Sequence, residues 1–281
     1  MLKKFLLFLL VIFSLMACQK DQSQSSEIRF AIAQAPLNLD PRYATDAASE
    51  RVNRLIYQPL MDFDAASRTA PILAASQALN DKEYQFTLQK QAVFHNGDAL
   101  TAADVKATYD SFKSLKDSPH SAEFANIDAI EVLDNKTLIF NLKQVDRHFL
   151  EKLIIGILPK KLIESKYDFS HNPVGSGPLK FVSWQNKLVL QRVKDGQIIA
   201  LQEVKDPTVR VLKLMRGEAD LIQGDLPPEL VKYLQEVSGI HVDTGLGANY
   251  SYLGLNMQDP VLKQLSAPSH CTCHKSPSHY R

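Results

Sequence analysis

The densest chemistry in the chain lies at its C-terminal end. SAPSHCTCHKSPSHYR, residues 266–281, holds Cys271 and Cys273, two of the three cysteines, and His270, His274 and His279, three of the eight histidines. Thiolate sulfur and imidazole nitrogen together suit zinc or another soft or borderline metal. The spacing does not. Cys-x-Cys is shorter than the usual Cys-x₂₋₄-Cys, adjacent Cys273 and His274 are poorly placed to face one ion, and no apolar residue nearby could build a second layer around it. Catalytic constellations are missing elsewhere. There is no Gly-x-Ser-x-Gly elbow, since Gly175-Ser176-Gly177 has the wrong spacing, no phosphate loop and no His-Glu-x-x-His. Gly245-Leu246-Gly247 opens a dinucleotide-like pattern, but Tyr250 stands where the third glycine is needed. The remaining five histidines are scattered along the chain. The expectation is a protein that is not an enzyme, with no cofactor and no metal site.

The N-terminus carries chemistry of another kind. Lys3 and Lys4 precede FLLFLLVIFSLMA, residues 5–17, an uncharged apolar run ending on a small residue before Cys18. Those 13 residues reach about 20 Å as a helix, short of a hydrocarbon core of about 30 Å. The run therefore reads as a secretory signal, not a permanent span. Leu15-Met16-Ala17-Cys18 resembles a bacterial lipobox, in which the cysteine is lipidated and becomes the first residue. Each buried CH₂ of an acyl chain contributes about 0.8 kcal/mol, so several chains on Cys18 anchor stably. Gln19, where an aspartate could stand, resembles the sorting pattern of lipoproteins released toward the outer membrane. KDQSQSSE, residues 20–27, is a polar tether without aliphatics. The expected location is the periplasm or cell envelope, with the chain anchored to the membrane by lipid.

Composition fits a folded body behind that tether. The chain has 281 residues, 45% of them hydrophobic, and a formal net charge of +1, which is globular and leaves no electrostatic footprint for nucleic acid. From Cys18 to residue 265 there is no second cysteine, so an exported body must rest on its core rather than on disulfides. The elements follow from periodicity. EIRFAIAQ (27–34) predicts a strand. Residues 46–58 predict a helix, with Val52, Leu55 and Ile56 on one side and Thr45 or Asp46 at its cap. MDFD (61–64) and YQFTLQ (84–89) predict strands. Asn96-Gly97 marks a turn, and Thr101 with Asp104 predicts a capping box before an apolar helix face of Val105, Tyr109 and Phe112. IDAIEVLDNKTLIFNLK (127–143) is a hairpin turning at Asp134-Asn135-Lys136. After residue 206 a helix stopped by Gly217, the strand ADLIQ, a second helix ending near Gly239, and the strands HVDTG (241–245) and NYSYLGLN alternate. That order predicts an α/β lobe of mixed sheets flanked by helices.

Several segments together resemble one family. Leu39-Asp40-Pro41, an acid at position 46 and Ile56-Tyr57-Gln58-Pro59-Leu60 look like the opening signature of the peptide-type, family 5, extracytoplasmic solute-binding proteins of ABC importers. PILAAS (71–76), the run from YQFTLQ through Val-x-Phe-His-x-Gly to Leu-Thr-Ala-x-Asp-Val, VGSGPLKF (174–181), VRVLKLMRGEADL and YLGLN fit in the same order. Ser176 and Leu179 depart from the pattern. The class includes oligopeptide-, dipeptide- and nickel-binding members. The resemblance implies a periplasmic binding protein-like fold of two lobes that close on a solute by a hinge and then meet the permease subunits in the membrane.

Those implications fix the expected organisation. Residues 1–17 would be a lipoprotein signal peptide and 18–27 a flexible tether. Residues 28–258 would be the N-terminal lobe of the solute-binding domain, and 259–281 the start of a missing second lobe with an aberrant tail. DPVLK (259–263) begins the expected continuation, but residues 266–281 hold no Leu, Ile, Val, Phe or Met, so the tail reads as a shifted frame and the chain as a truncated, impaired receptor. Tyr43, Thr45 and Asp46 are expected beside the solute, although Thr45 and Asp46 serve equally as helix caps. Asn249 and Tyr250 are expected at the polar edge before the hinge strand, and Trp184 in the core. The alternative is a periplasmic metal-handling lipoprotein, and only that reading requires the tail for its function.

Overall fold

A computed structural model describes residues 27–64, 66–89, 91–115, 117–224, 226–245, 256, 258 and 259. The chain divides into two compact units, residues 1–231 and 232–281.

The first unit is built on two sheets. In the larger, strand β1 (Glu27–Ile32) lies between two parallel partners, β10 (Ile198–Glu203) and β11 (Leu221–Gln223). Antiparallel β9 (Leu188–Arg192) and β8 (Leu179–Trp184) complete the order β11-β1-β10-β9-β8. Helix α1 (Ala47–Ile56) covers this sheet, and Val52 and Ile56 join Leu39, Phe169, Leu188, Leu190 and Leu201 in one core. Asp46 caps the helix by accepting the Ser49 amide at 2.9 Å. Trp184 packs against this core, as expected.

The smaller sheet runs β4-β5-β7-β6, from β4 (Ala74–Asn80), β5 (Glu83–Leu88), β6 (Ile127–Val132) and β7 (Thr137–Leu142), antiparallel throughout. Helix α2 (Ala102–Ser114) lays Val105, Tyr109 and Phe112 on it. The Asp104 carboxylate accepts from the Thr101 amide at 2.8 Å and the Thr101 hydroxyl at 2.7 Å. Its other oxygen accepts the Lys160 amide at 2.8 Å, where the short helix α4 (Lys160–Glu164) begins. A hairpin of β2 (Met61–Phe63) and β3 (Thr69–Pro71) and the one-turn α3 (Phe149–Lys152) lie between the sheets in sequence. Helix α5 (Pro207–Met215) is capped by Asp206, which accepts the Val209 amide at 2.9 Å. It stops before Gly217, whose φ of +65° is the left-handed turn that favours glycine.

Helix α6 (Pro228–Glu236) starts in the first unit and carries on into the second. Within the second unit Gly239 turns the chain at φ +84°. HVDTG, predicted as a strand, is irregular over residues 241–245, and His241 bonds its near neighbour Asp243 at 3.1 Å. A strand needs a ladder partner for its amides, and this stretch has none among the described residues. NYSYLGLN lies outside the described residues except for Asn256.

The core of the smaller sheet centres on Phe140, fully buried and edge-on to Phe86 at 5.3 Å, Tyr109 at 5.3 Å and Phe149 at 5.4 Å. Phe140→Ala should destabilise the fold by about 3–5 kcal/mol, because four packed elements lose a shared side chain. Urea unfolding should show a lower midpoint with the slope kept. An unchanged midpoint would show that this cluster does not support the fold.

Candidate functional site

The two sheets meet at the end of α1. Tyr57, which follows the helix, is buried, and its hydroxyl donates to the Leu39 carbonyl at 3.1 Å. Three glycines make room for this corner. A Cβ on Gly156 would lie 2.3 Å from the Tyr57 Cβ. One on Gly175 would lie 2.0 Å from the Ile56 carbonyl oxygen, and one on Gly177 2.5 Å from that of Leu55. The Gly177 amide donates to the Ile56 oxygen at 2.7 Å. From the turn that precedes α2, His95 clasps the same segment. Its amide donates to Gly175 O at 2.8 Å and its Nε2 to Gly177 O at 2.9 Å. Asn96 forms turn chemistry as expected, its Oδ1 accepting the Asp98 amide at 3.1 Å while Gly97 takes φ +93°.

The loop before α1 is fixed by its own ion pair. Arg42 grips Asp40 at 2.7 and 3.0 Å and lies 5.4 Å above the Phe169 ring. Tyr43, Thr45 and Asp46 follow. Tyr43 is half-buried, and that burial raises its hydroxyl pKa above the ordinary tyrosine value. Thr45 is exposed. Asp46 is engaged by the Ser49 amide and hydroxyl, and Ser49 Oγ in turn accepts the amides of Leu37 at 2.8 Å and Asn38 at 3.0 Å. Its carboxylate thus organises the loop as well as the cap. Cys18, Asn249 and Tyr250 lie outside the described residues.

A cleft of about 100 Å³ opens beside this loop. Ala44, between Tyr43 and Thr45, lines it, with Asn53 and Arg54 of α1, His120, Ile155 and Gly156. Tyr43, Thr45 and Asp46 themselves are not among its lining residues. His120 is tied down by both ring nitrogens, Nε2 at 2.8 Å from Ala44 O and Nδ1 at 3.1 Å from Glu123. Arg54 lies 3.5 Å from Asp62. The walls therefore mix apolar surface with a carboxylate from Glu50, an amide, a guanidinium and an imidazole. Sequence reasoning missed Asn53 and His120. Asn53 left a trace, a polar residue on the apolar stripe of α1; His120, in an irregular loop far from that helix, left none. Among the described residues no group of three or more His, Cys, Asp or Glu could hold a metal, and no helix is long and apolar enough to cross a membrane.

Residues 68–266 match the family described as bacterial extracellular solute-binding proteins, family 5 Middle. The chain belongs to that family. It is 25% identical over 251 residues to the oligopeptide-binding protein AppA of Bacillus subtilis, covering 81% of this chain and 46% of that protein. It is 27% identical over 244 residues to the glutathione-binding protein GsiB of Pectobacterium atrosepticum, covering 81% and 47%. The chain spans about half the length of these curated relatives. Among solved structures, the periplasmic binding protein DppA of Helicobacter pylori, in complex with the peptide STSA, superposes with a TM-score of 0.68 at 25% identity over 77% of this chain and 50% of that one. NikZ of Campylobacter jejuni, in complex with Ni(L-His), shares the fold with a TM-score of 0.68 at 24% identity over 76% and 46%. The family that the motif order resembled is thus the family found, and the mixed sheets flanked by helices are its α/β binding-protein fold.

The clasp of this family 5 chain yields a pH dependence. Burial lowers the His95 pKa, outweighing the Gly177 hydrogen bond, which raises it; Lys180 lowers it further. With Nε2 donating, Nδ1 is buried without a partner, and a proton there would have no acceptor. The folded pKa is below the unfolded value of about 6.5, so the unfolded chain binds more protons in between. The contribution of neutral His95 is full above about pH 6.5 and is lost as pH falls toward the folded pKa. Denaturant midpoints should fall between pH 7 and 5, and His95→Gln should flatten that fall. An identical pH profile in the variant would remove His95 from the account.

Proposed function

We propose that this chain is the solute-capturing component of an ABC importer, held outside the cell by lipid on Cys18, and that it takes peptides or related small solutes for delivery to the permease. On this reading residues 1–17 are a signal peptide, 18–27 a tether and 28–258 a lobe of the binding domain. The observation that carries it is the cleft beside the Asp40–Asp46 loop, where Asn53, Arg54 and His120 stand over Ile155 and Gly156 in a family 5 chain. Tyr43 and Thr45 lie along the same loop and would form its rim, while Asp46 holds the loop in shape. Asn249 and Tyr250 are proposed as further contacts. A lobe that captures a solute needs polar groups fixed before binding, so that little ordering entropy is lost on contact. The tying of His120 to Ala44 and Glu123 supports that.

Isothermal titration with mixed di- and tripeptides is expected to give saturable heat, and titration with an oligosaccharide none. Saturable binding of the sugar but of no peptide, or of neither, would overturn the peptide reading. Lipid anchoring has its own measurement. Expressed in a bacterial host fed a labelled fatty acid, the chain should carry label and sediment with membranes, and Cys18→Ser should do neither. A labelled Cys18→Ser chain, or an unlabelled parent, would remove the anchor from the proposal.

A further inference from the structure

We infer that Asn53 reads a peptide amide of the solute and so sets the chemical class that the cleft accepts; the inference rests on the solute-binding function proposed above. Asn53 sits on the buried face of α1 with Ser49, Val52 and Ile56 and is only 7% exposed. Its main chain is committed, the carbonyl accepting the Tyr57 amide at 2.8 Å. Its side chain is not. Neither Nδ2 nor Oδ1 has a hydrogen-bond partner among the described residues, though both are shielded from bulk water. Of the other polar side chains around the cleft, His120 is held by Ala44 and Glu123, Arg54 by Asp62 and the Tyr57 hydroxyl by Leu39, while Glu50 is exposed at its edge.

A buried carboxamide without partners is unusual, because buried polar groups are nearly always paired. Asn53 lines the cleft, and a turn of its side chain toward that opening would present both atoms to whatever enters there. The side chain offers donors on Nδ2 and an acceptor on Oδ1. A peptide group offers the reverse, one carbonyl and one N–H, and fills both atoms. A carboxylate satisfies Nδ2 alone and leaves Oδ1 orphaned, so it is the poorer match. A pair of adjacent sugar hydroxyls can also meet both atoms, so the carboxamide discriminates against ions and not against sugars. The match therefore selects amide-bearing solutes over purely ionic ones.

The test uses an alanine peptide that binds the full chain, and the same peptide with each amide in turn replaced by an ester, which removes the N–H and keeps the shape. In the parent chain at least one ester should bind roughly tenfold more weakly, the effect of one orphaned buried acceptor. In Asn53→Leu, similar in shape but without the amide, that penalty should vanish while the melting temperature holds or rises, since an unpartnered polar group has been removed. Asn53→Ala supplies the same comparison should leucine fail to fit. If the ester penalties persist unchanged in either variant, or none exists in the parent, the inference is overturned and solute binding stands. If no peptide binds the parent, the solute-binding reading falls and takes this inference with it. A drop in melting temperature in both variants with the penalties intact would mean that Asn53 only holds a buried water, which also overturns it.

Discussion

Main chains pack directly on one another at the end of α1. Gly175 and Gly177 lie directly on the last carbonyls of α1, and no side chain, even a methyl, fits at either place. Much of the first unit is arranged around that contact. The 175–178 segment leads into β8, the edge of the larger sheet; α1 leads through Tyr57 toward β2; and His95 reaches in from the turn that precedes α2 on the smaller sheet. Three chain segments far apart in sequence are therefore fixed to one another by backbone hydrogen bonds at 2.7–2.8 Å and one imidazole. Contacts of this kind tolerate no change of volume on the glycine side. They depend little on which apolar residues fill the cores behind them.

Each core can then do its own work. Aromatic rings fill the smaller sheet, where Phe86, Tyr109, Phe112, Phe124, Phe140 and Phe149 stack edge to face or tilted. Under the larger sheet the filling is mostly aliphatic, Leu188, Leu190 and Leu201 meeting Val52 and Ile56. Asp104 joins the two systems by capping α2 with one oxygen and the start of α4 with the other. Thr108 extends that link, its hydroxyl accepting the Leu158 amide at 3.0 Å. Leu158 belongs to the aliphatic core although Thr108 sits on the helix of the aromatic one. The two cores are thus coupled through polar groups buried between them, which favour one relative placement over many.

What the sequence disclosed followed the range of each interaction. Local signals were legible: Asp46 and Thr101–Asp104 at helix starts, the 127–142 hairpin around Asp134, and Gly217 after α5. Strands whose pairing depends on distant chain were not. β1 pairs with β10, Glu27 opposite Ile198, and nothing in LVLQR or IIALQE alone announces a central place beside it. HVDTG had strand-forming residues and no ladder partner among the described residues. The site divides the same way. The loop at Tyr43–Asp46 was legible because it starts a helix; that Ala44 of that loop lines the cleft was not. His120 was invisible because a loop after α2 brings it there. The motif order carried more than periodicity could, since Val-x-Phe-His-x-Gly and Gly-Ser-Gly-Pro are the two halves of the clasp.

Under the function proposed above, that division would let one frame serve unlike solutes. Relatives named for oligopeptides and for glutathione share about a quarter of this sequence, and a chain solved with Ni(L-His) shares its fold. The clasp needs glycines and a histidine, and the caps need short acids; these fix where α1 and its preceding loop stand. Of the residues that line the cleft from that platform, Asn53 and Ala44 hold it through main-chain atoms, the Asn53 carbonyl accepting the Tyr57 amide and the Ala44 carbonyl bonding His120. Exchanging their side chains would alter what the wall can bond and leave those main-chain bonds in place. A frame fixed by main chain and a surface supplied by side chains can therefore change independently, and recognition can diversify while the architecture stays.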